Sequence, residues 1–444
     1  MAERLQAQAT ATAEPATAAA PSVGARTIRR TLVAFTYRDF RVQWIGACTS
    51  SIGTWMQIVA QNWLVVSLTD SPFFLGLDAF LQQLPIILFS LIGGVFADRY
   101  DRRRTLMLSQ IVQMSTSATL AILMYFQAVQ IWQILALSFV TGCAQAFGGP
   151  AYQSLIPSLV DKKDLPNAVA LNSIQFNVAR VLGPLAFGVI LAGFQKYGYS
   201  EPQAMNACFA LNSLSFVVVI NTLMMLRVKH IPPATSGKMQ DELKIGLSYV
   251  RHHSSLAALI VLAAATTFLG FAVLTFLPLF AQRVFHQGAN TYSHLMAFSG
   301  AGSIVGALIV AWLGKFKRMG LTALLVQAVY GLLIIAFAAS RVLWLSDILL
   351  FFTGMALMVV FSTVTSLIQL IAPNEMRGRV MSLYTVTLIG LPSLGALGIG
   401  AFAEWLGGVK GAPHAVLIGA VILGIILLFV LPMFWRRDLP QRQL

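Results

Sequence analysis

Two ionisable residues stand deep inside long apolar runs: Asp78, within FFLGLDAFLQQLP, and Arg180, within NVARVLGPLAFG. A charge at the centre of a membrane helix costs ~2.5–3.5 kcal/mol by insertion scales, so such residues are functional candidates. A carboxyl group held away from water could take up a proton from one side and release it to the other. Asp78 is therefore the proton-coupling candidate, with a plain carboxylate at a helix rim as the alternative. Arg180 could bind an anion, pair with Asp78, or hydrogen-bond carbonyls beside Pro184. Nearby, Ser50, Thr54, Gln57 and Gln61 follow one another at spacings of four, three and four, which draws a polar stripe down a helix and is expected to face a cavity. Gln82, Gln145, Asn172, Gln175 and Tyr384 are further lining candidates, with interhelical hydrogen bonding as their alternative use. Trp55, Trp63, Phe268, Phe271 and Phe276 could supply apolar walls, which suits a large amphipathic organic solute better than a small ion.

The elements that must position these residues are membrane helices. Over 444 residues the chain is 57% hydrophobic and 10% charged, with a mean hydropathy of +0.76, more apolar surface than one soluble core could hide. Twelve apolar segments are expected, at 43–67, 73–97, 104–127, 130–155, 165–193, 204–226, 255–282, 291–314, 319–339, 344–371, 379–404 and 412–434. At ~1.5 Å rise per residue each can cross a hydrocarbon layer of ~30 Å. With a cytoplasmic N-terminus, 25 of the 30 Lys and Arg residues fall in the termini and even-numbered loops. Four (Lys196, Arg283, Arg341, Lys410) lie in odd-numbered loops, and Arg180 lies within a helix. That asymmetry is the positive-inside rule, so the net charge of +14 reads as topology and not as nucleic-acid binding. The expectation is an all-α multi-pass protein of a bacterial inner membrane, both termini cytoplasmic, acting as a monomer. Its divisions would be a tail and juxtamembrane segment over 1–40, a helical bundle over 41–226, a linker over 227–254, a second bundle over 255–434 and a tail over 435–444. Ile28, Leu32 and Phe35 stand at helical spacing among arginines, compatible with a short helix on the membrane surface or simple juxtamembrane anchoring.

Several chemistries find no residues. There is no phosphate-binding loop, so ATP is not the expected driver. The six histidines and three cysteines lack metal-ligand spacing, and Cys48, Cys143 and Cys208 all fall in apolar segments. No nucleophile–base or paired-carboxylate constellation marks an enzyme. No cofactor or metal is expected.

Shifting the chain by 212 positions aligns 132–188 with 344–400, with 14 identities in 57 pairs. The telling ones include Trp132/Trp344, Gly142/Gly354, Gly183/Gly395 and Gly188/Gly400. Two halves of six helices in the same orientation imply parallel repeats with a site between them. The same shift takes Gly94 to Gly306, just before a second basic cluster of Lys315, Lys317 and Arg318.

Between segments two and three lies GGVFADRYDRRR, Gly93 to Arg104. It resembles the loop between helices two and three of the major facilitator superfamily, with Gly94, Asp98 and Arg102 at the positions of its glycine, aspartate and basic residue, and with Asp101 where the general pattern has glycine. The stretches SLIPSLVDKKDLPNAVALNSIQFNVARVLGPLAFG, from Ser154, and APNEMRGRVMSLYTVTLIGLPSLGALGIG, from Ala372, resemble its branch of enterobactin-exporter-like transmembrane secretion effectors. RVLGPLAFG also resembles the helix-five antiporter motif through Gly183, Pro184 and Gly188, with Arg180 at its head, but Ala179 and Phe187 stand where glycines are expected. The resemblance implies a two-bundle, twelve-helix transporter working by rocker-switch alternating access. It further implies a proton-coupled exporter of amphipathic molecules such as drugs or siderophores. An inner gate would set Asp98 against Arg377 and Arg379 at the start of helix eleven, with Gly94, Arg99, Arg102 and Arg103 around it. Alternatives are a lipid or lysophospholipid carrier, an importer of the same fold, or a non-transporting sensor. Counted along the helix, Asp78 lies 20 residues before Asp98, or ~30 Å. Arg180 lies 16 residues after Asp164, or ~24 Å. Both are thus expected in the outer half, where they could face one outward-opening cavity.

Overall fold

Every amide inside hydrocarbon must be satisfied by its own segment, and this chain answers with helices. The computed structural model describes residues 32–227, 247–314, 316 and 318–435, with side chains described outside 90–99 and 431–435. The first half comprises α1 (Arg38–Leu68), α2 (Pro72–Arg99), α3 (Arg102–Tyr125), α4 (Ile131–Leu155), α5 (Leu165–Lys196) and α6 (Glu201–Met225). The second comprises α7 (Ser254–Val284), α8 (Ala289–Leu313), α9 (Met319–Ala339), α10 (Leu343–Ile371), α11 (Asn374–Trp405) and α12 (Ala412–Trp435). Eleven of these are long and apolar enough to cross a membrane among the described residues. The exception is α1, which has the length at 31 residues but whose Gln, Asn, Ser and Thr side chains dilute its apolar content.

Packing repeats from one half to the other. In the first, α1 packs on α5 and α6, α2 on α4, and α3 on α4 and α6; in the second, α7 packs on α11 and α12, α8 on α10, and α9 on α10 and α12. The halves meet through the exchanged pairs α2–α11 and α5–α8. The glycines of the sequence repeat explain the match. A Cβ on Gly142 of α4 would overlap the Gln82 carbonyl of α2, and one on Gly354 of α10 would overlap the Ser299 carbonyl of α8. Gly183 of α5 meets Trp55 and Met56 of α1, as Gly395 of α11 meets Phe268 of α7. Helix axes can approach this closely only where no side chain intervenes. Gly183 thus packs within its own half. Gly188 does reach across, with Ser293 Oγ of α8 2.6 Å from where its Cβ would stand.

Call the end where α1 begins the near end and the opposite one the far end. At the far end a single apolar core joins both halves, including Met56, Trp63, Phe187, Phe276, Phe280 and Tyr292. At the near end the described core is two separate bodies. One, with Phe40, Leu106, Leu155 and Leu171, belongs wholly to the first half; the other, with Leu256, Leu259, Val360 and Val380, belongs wholly to the second.

The stretch before α1 is not a surface helix through Phe35. Val33–Thr36 forms a 3-10 turn tied to the loop before α5. The Ala34 N–H donates to Asn167 Oδ1 at 2.9 Å, and the Tyr37 hydroxyl donates to Asp161 and Asp164 at 2.9 and 2.7 Å. Those two carboxylates hold the proton on Tyr37 and push its ionisation upward. Ile28, the tails 1–31 and 436–444, most of the linker at 228–246, and Lys315 and Lys317 lie outside the described residues.

Candidate functional site: a buried carboxyl and an unpaired arginine

Asp78 is buried within its own half. It is 4% exposed and enclosed by α1, α2 and α4. Gln61 Nε2 donates to its two oxygens at 2.9 and 3.2 Å, and Ser138 Oγ donates to Oδ1 at 2.5 Å. Gln61 Nε2 also reaches Ser138 Oγ at 2.8 Å. No basic side chain joins this cluster, and Arg180 is elsewhere. The two charges therefore do not face one cavity: Asp78 sits within the first half, and Arg180 sits where the halves meet.

The guanidinium of Arg180 lies 5.8 Å from the ring centre of Trp55 on α1 and 5.9 Å from that of Phe271 on α7. One turn further along α5, the Pro184 carbonyl accepts a 2.6 Å hydrogen bond from Ser293 Oγ. Pro184 thus takes part in the seam between halves as well as lacking its own N–H. Around it the far end is fastened by Asn62 Nδ2 to Tyr292 Oη (3.1 Å), Trp63 stacked on Tyr292, Ser71 Oγ to Glu404 (2.7 Å), and the Arg283–Asp70 ion pair.

The polar stripe on α1 points into its own half and not toward a cavity. Gln57 Oε1 accepts from Ser117 Oγ of α3 and Asn212 Nδ2 of α6, both at 2.6 Å. Gln61 serves Asp78, and Ser50 is buried. Gln175 Nε2 donates to Ala47 O and Ser51 Oγ at 3.0 and 2.6 Å. Tyr384 is paired with Thr365 Oγ1 at 3.0 Å. Gln57, Gln61 and Gln175 are consumed by interhelical bonds because α1 is flanked on several sides by polar positions of other helices, and Tyr384 by its bond from α11 to α10. Thr54 and Gln82 remain half-buried and Gln145 exposed, while Asn172 keeps its Nδ2 without a partner among the described residues.

In the basic loop, Arg102 Nη1 donates to Ser154 O at 3.1 Å, and Arg103 donates to Met224 O and Leu226 O at 2.8 and 3.0 Å. Both arginines thus cap the carbonyl ends of α4 and α6, where positive charge is favoured. Asp101, which stands out in the sequence only as a departure from the superfamily pattern, is the N-cap of α3: its Oδ1 accepts from the Arg104 N–H at 3.1 Å, and an acid just before a helix is the sequence signal for that role. Asp101→Ala is expected to lower stability by about 1 kcal/mol, seen as a lower melting temperature of the purified protein, while Asp101→Asn stays close to wild type. Arg377 is exposed and Arg379 half-buried, its Nη1 3.5 Å from Met376 Sδ. The side chains of Asp98 and Arg99, and the surroundings of Gly94, lie outside the described residues. Among those described, no cluster of metal-binding side chains occurs.

The profile of transmembrane secretion effectors matches residues 30–442. The chain belongs to that family, within the major facilitator transporters. It is similar to the staphyloferrin A transporter of Staphylococcus aureus, 28% identical over 60% of this chain and 66% of that one. It also resembles macrolide efflux protein A of Streptococcus pyogenes, 22% identical over 83% and 90%, and the enterobactin exporter EntS of Salmonella typhi, 23% over 89% and 93%. Among solved structures, a bacterial homologue of the lysosomal transporter Spinster shares the fold, with a TM-score of 0.70 at 16% identity over 90% of this chain and 97% of that one. This member of the transmembrane secretion effectors is accordingly a multi-pass membrane transporter.

Proposed function

We propose that this transporter is a proton-coupled exporter of amphipathic organic molecules in a bacterial inner membrane, working by rocker-switch alternating access with the near end cytoplasmic. The carrying observation is the core itself, continuous across the halves at the far end and divided at the near end. Two bodies fastened at one end can rock about that seam, opening one mouth as the other closes. The crowding of Lys and Arg at the near end supports its cytoplasmic assignment. The macrolide efflux and enterobactin export of its relatives support export, and the buried Asp78 carboxyl supports proton coupling.

The test is efflux of fluorescent amphipathic compounds from pump-deficient cells, with and without a protonophore, for wild type and Asp98→Asn. Wild-type efflux should collapse with the protonophore. Asp98→Asn should slow it severalfold at unchanged membrane abundance, since the loop's resemblance to the superfamily's inner gate implies a carboxylate that a helix N-terminus and arginines would stabilise. Efflux insensitive to the protonophore would overturn the coupling. A full rate in Asp98→Asn would overturn the gate, and no efflux of any compound would move the reading to lipid carriage or import.

A further inference from the structure

Arg180 is a cation inside a membrane helix that has no opposite charge beside it among the described residues. The ion pairs among the described residues are Arg38–Asp39, Lys163–Asp161 and Arg283–Asp70, and no described acceptor takes an N–H of Arg180. Its side chain is only half-buried, so those N–H groups border an opening. Two aromatic rings flank it, and a third extends from one of them. Trp55 and Phe271 face the guanidinium, one from each half. Phe176, one turn nearer the near end on α5, is 55% exposed and sits edge-on to Trp55 at 5.9 Å.

A second, independent feature lies on α7 and α9. Tyr330 is fully buried, and its hydroxyl has no partner among the described residues. It stands beside Gly270, the residue before Phe271, whose ring faces Arg180. Gly270 admits the Tyr330 ring: a Cβ there would stand 2.6 Å from Cε1 and 2.8 Å from the hydroxyl oxygen. One turn before Tyr330, Gln327 accepts from Thr266 Oγ1 at 3.0 Å and keeps its Nε2 unpartnered. Thr266–Gly270 is a π turn, closed by the Phe271 N–H on Thr266 O at 3.0 Å, and it carries Phe271 to the arginine. Single π turns inside α-helices recur at functional sites.

Guanidinium, amide nitrogen and phenol hydroxyl are all able to donate, and no carboxylate among the described residues answers them. A cation in such surroundings is poorly solvated, and aromatic faces compensate it in part. We propose that Arg180, with the Tyr330 hydroxyl, binds the anionic group of an amphipathic substrate whose apolar body lies along Trp55, Phe176 and Phe271. This rests on the reading of the protein as a carrier of amphipathic organics, and it narrows the class to acids: carboxylates, phosphates or sulfonates, on a small aromatic molecule or on a single-chain lipid.

The test is equilibrium binding to the purified full-length protein without any pH gradient. The probes are 2-naphthoate, the cation 2-naphthylmethylammonium of similar shape, and lysophosphatidylglycerol as the lipid acid. Wild type should prefer at least one acid over the cation by about tenfold or more, and Arg180→Gln should lose about tenfold for that acid without weakening the cation. Arg180→Lys, which keeps the charge but not the planar fork, should fall between them. Tyr330→Phe should weaken the acid alone, and it keeps the proposal testable if Arg180→Gln fails to fold. Preference for naphthoate names the small aromatic acids as the source, and preference for lysophosphatidylglycerol names the lipid. Equal or cation-favouring binding in wild type, no binding of either acid, or unchanged acid affinity in folded Arg180→Gln would overturn the proposal. Protonophore-insensitive efflux would sink the coupling and leave this binding intact, so the two failures are distinguishable.

Discussion

Asp78→Asn is expected to abolish the proton-driven part of transport, lowering protonophore-sensitive efflux by about tenfold or more, while the protein folds and exchanges substrate down its own gradient. The expectation comes from the hydrogen-bond shell. Gln61 and Ser138 both donate to the carboxylate, yet a hydroxyl can also accept, and a primary amide can turn to offer its oxygen. Both protonation states of Asp78 can therefore be satisfied by the same two neighbours after small rotations. A salt bridge would instead have held the ionised form. Asparagine keeps the shape and finds partners in the same shell, but it carries no exchangeable charge. Asp78→Ala leaves Gln61 and Ser138 unpaired, at about 1–3 kcal/mol for each buried polar group, and should lose folded protein as well. The deciding measurement compares net efflux under an imposed pH gradient with substrate counterflow in vesicles lacking one. Loss of the first with retention of the second places Asp78 in the coupling path. Full pH-driven efflux by Asp78→Asn would show that the proton travels elsewhere.

The fold was legible because its causes are local. Apolar length, the distribution of Lys and Arg, and the two pairs Gly142/Gly354 and Gly183/Gly395 all survive in the linear sequence, and each glycine pair performs the same packing in both halves. The direction of polar side chains was not legible. Ser50, Thr54, Gln57 and Gln61 form one stripe by spacing, but Gln57 is answered by Ser117 and Asn212 while Gln61 is answered by Asp78 and Ser138. Those partners come from four other helices, so periodicity within α1 cannot tell a cavity from a polar interior. Arg180 was visible as an anomaly of composition. Its separation from Asp78 was not, because the helical rise gives depth in the membrane and says nothing of which face a residue occupies. Arg102 and Arg103 show a related limit: a basic loop set by topology also caps α4 and α6, so one set of residues meets two demands.

The seams that let two rigid halves exist are more fragile than the polar sites. Gly395→Ala is expected to cause the largest loss of stability of any single methyl addition considered, because the new Cβ would overlap the Phe268 carbonyl of α7. A flexible side chain could swing aside; a backbone carbonyl inside the Thr266–Gly270 π turn cannot without separating α7 from α11. Overpacking of this kind costs about 1–3 kcal/mol or more. Gly424→Ala on α12 is the control, since nothing stands within 4 Å of the added atom, and alanine there should stabilise the helix by about 0.5–1 kcal/mol. The same chemical change is thus expected to act with opposite sign at two helical glycines. Thermal unfolding of the purified variants, with folded yield in the membrane as a second readout, measures both. Equal melting temperatures for Gly395→Ala and Gly424→Ala would mean that α7 and α11 do not meet at the glycine. The correspondence with Gly183 and α1, and with it the reading of the two halves as one repeated packing unit, would then fail.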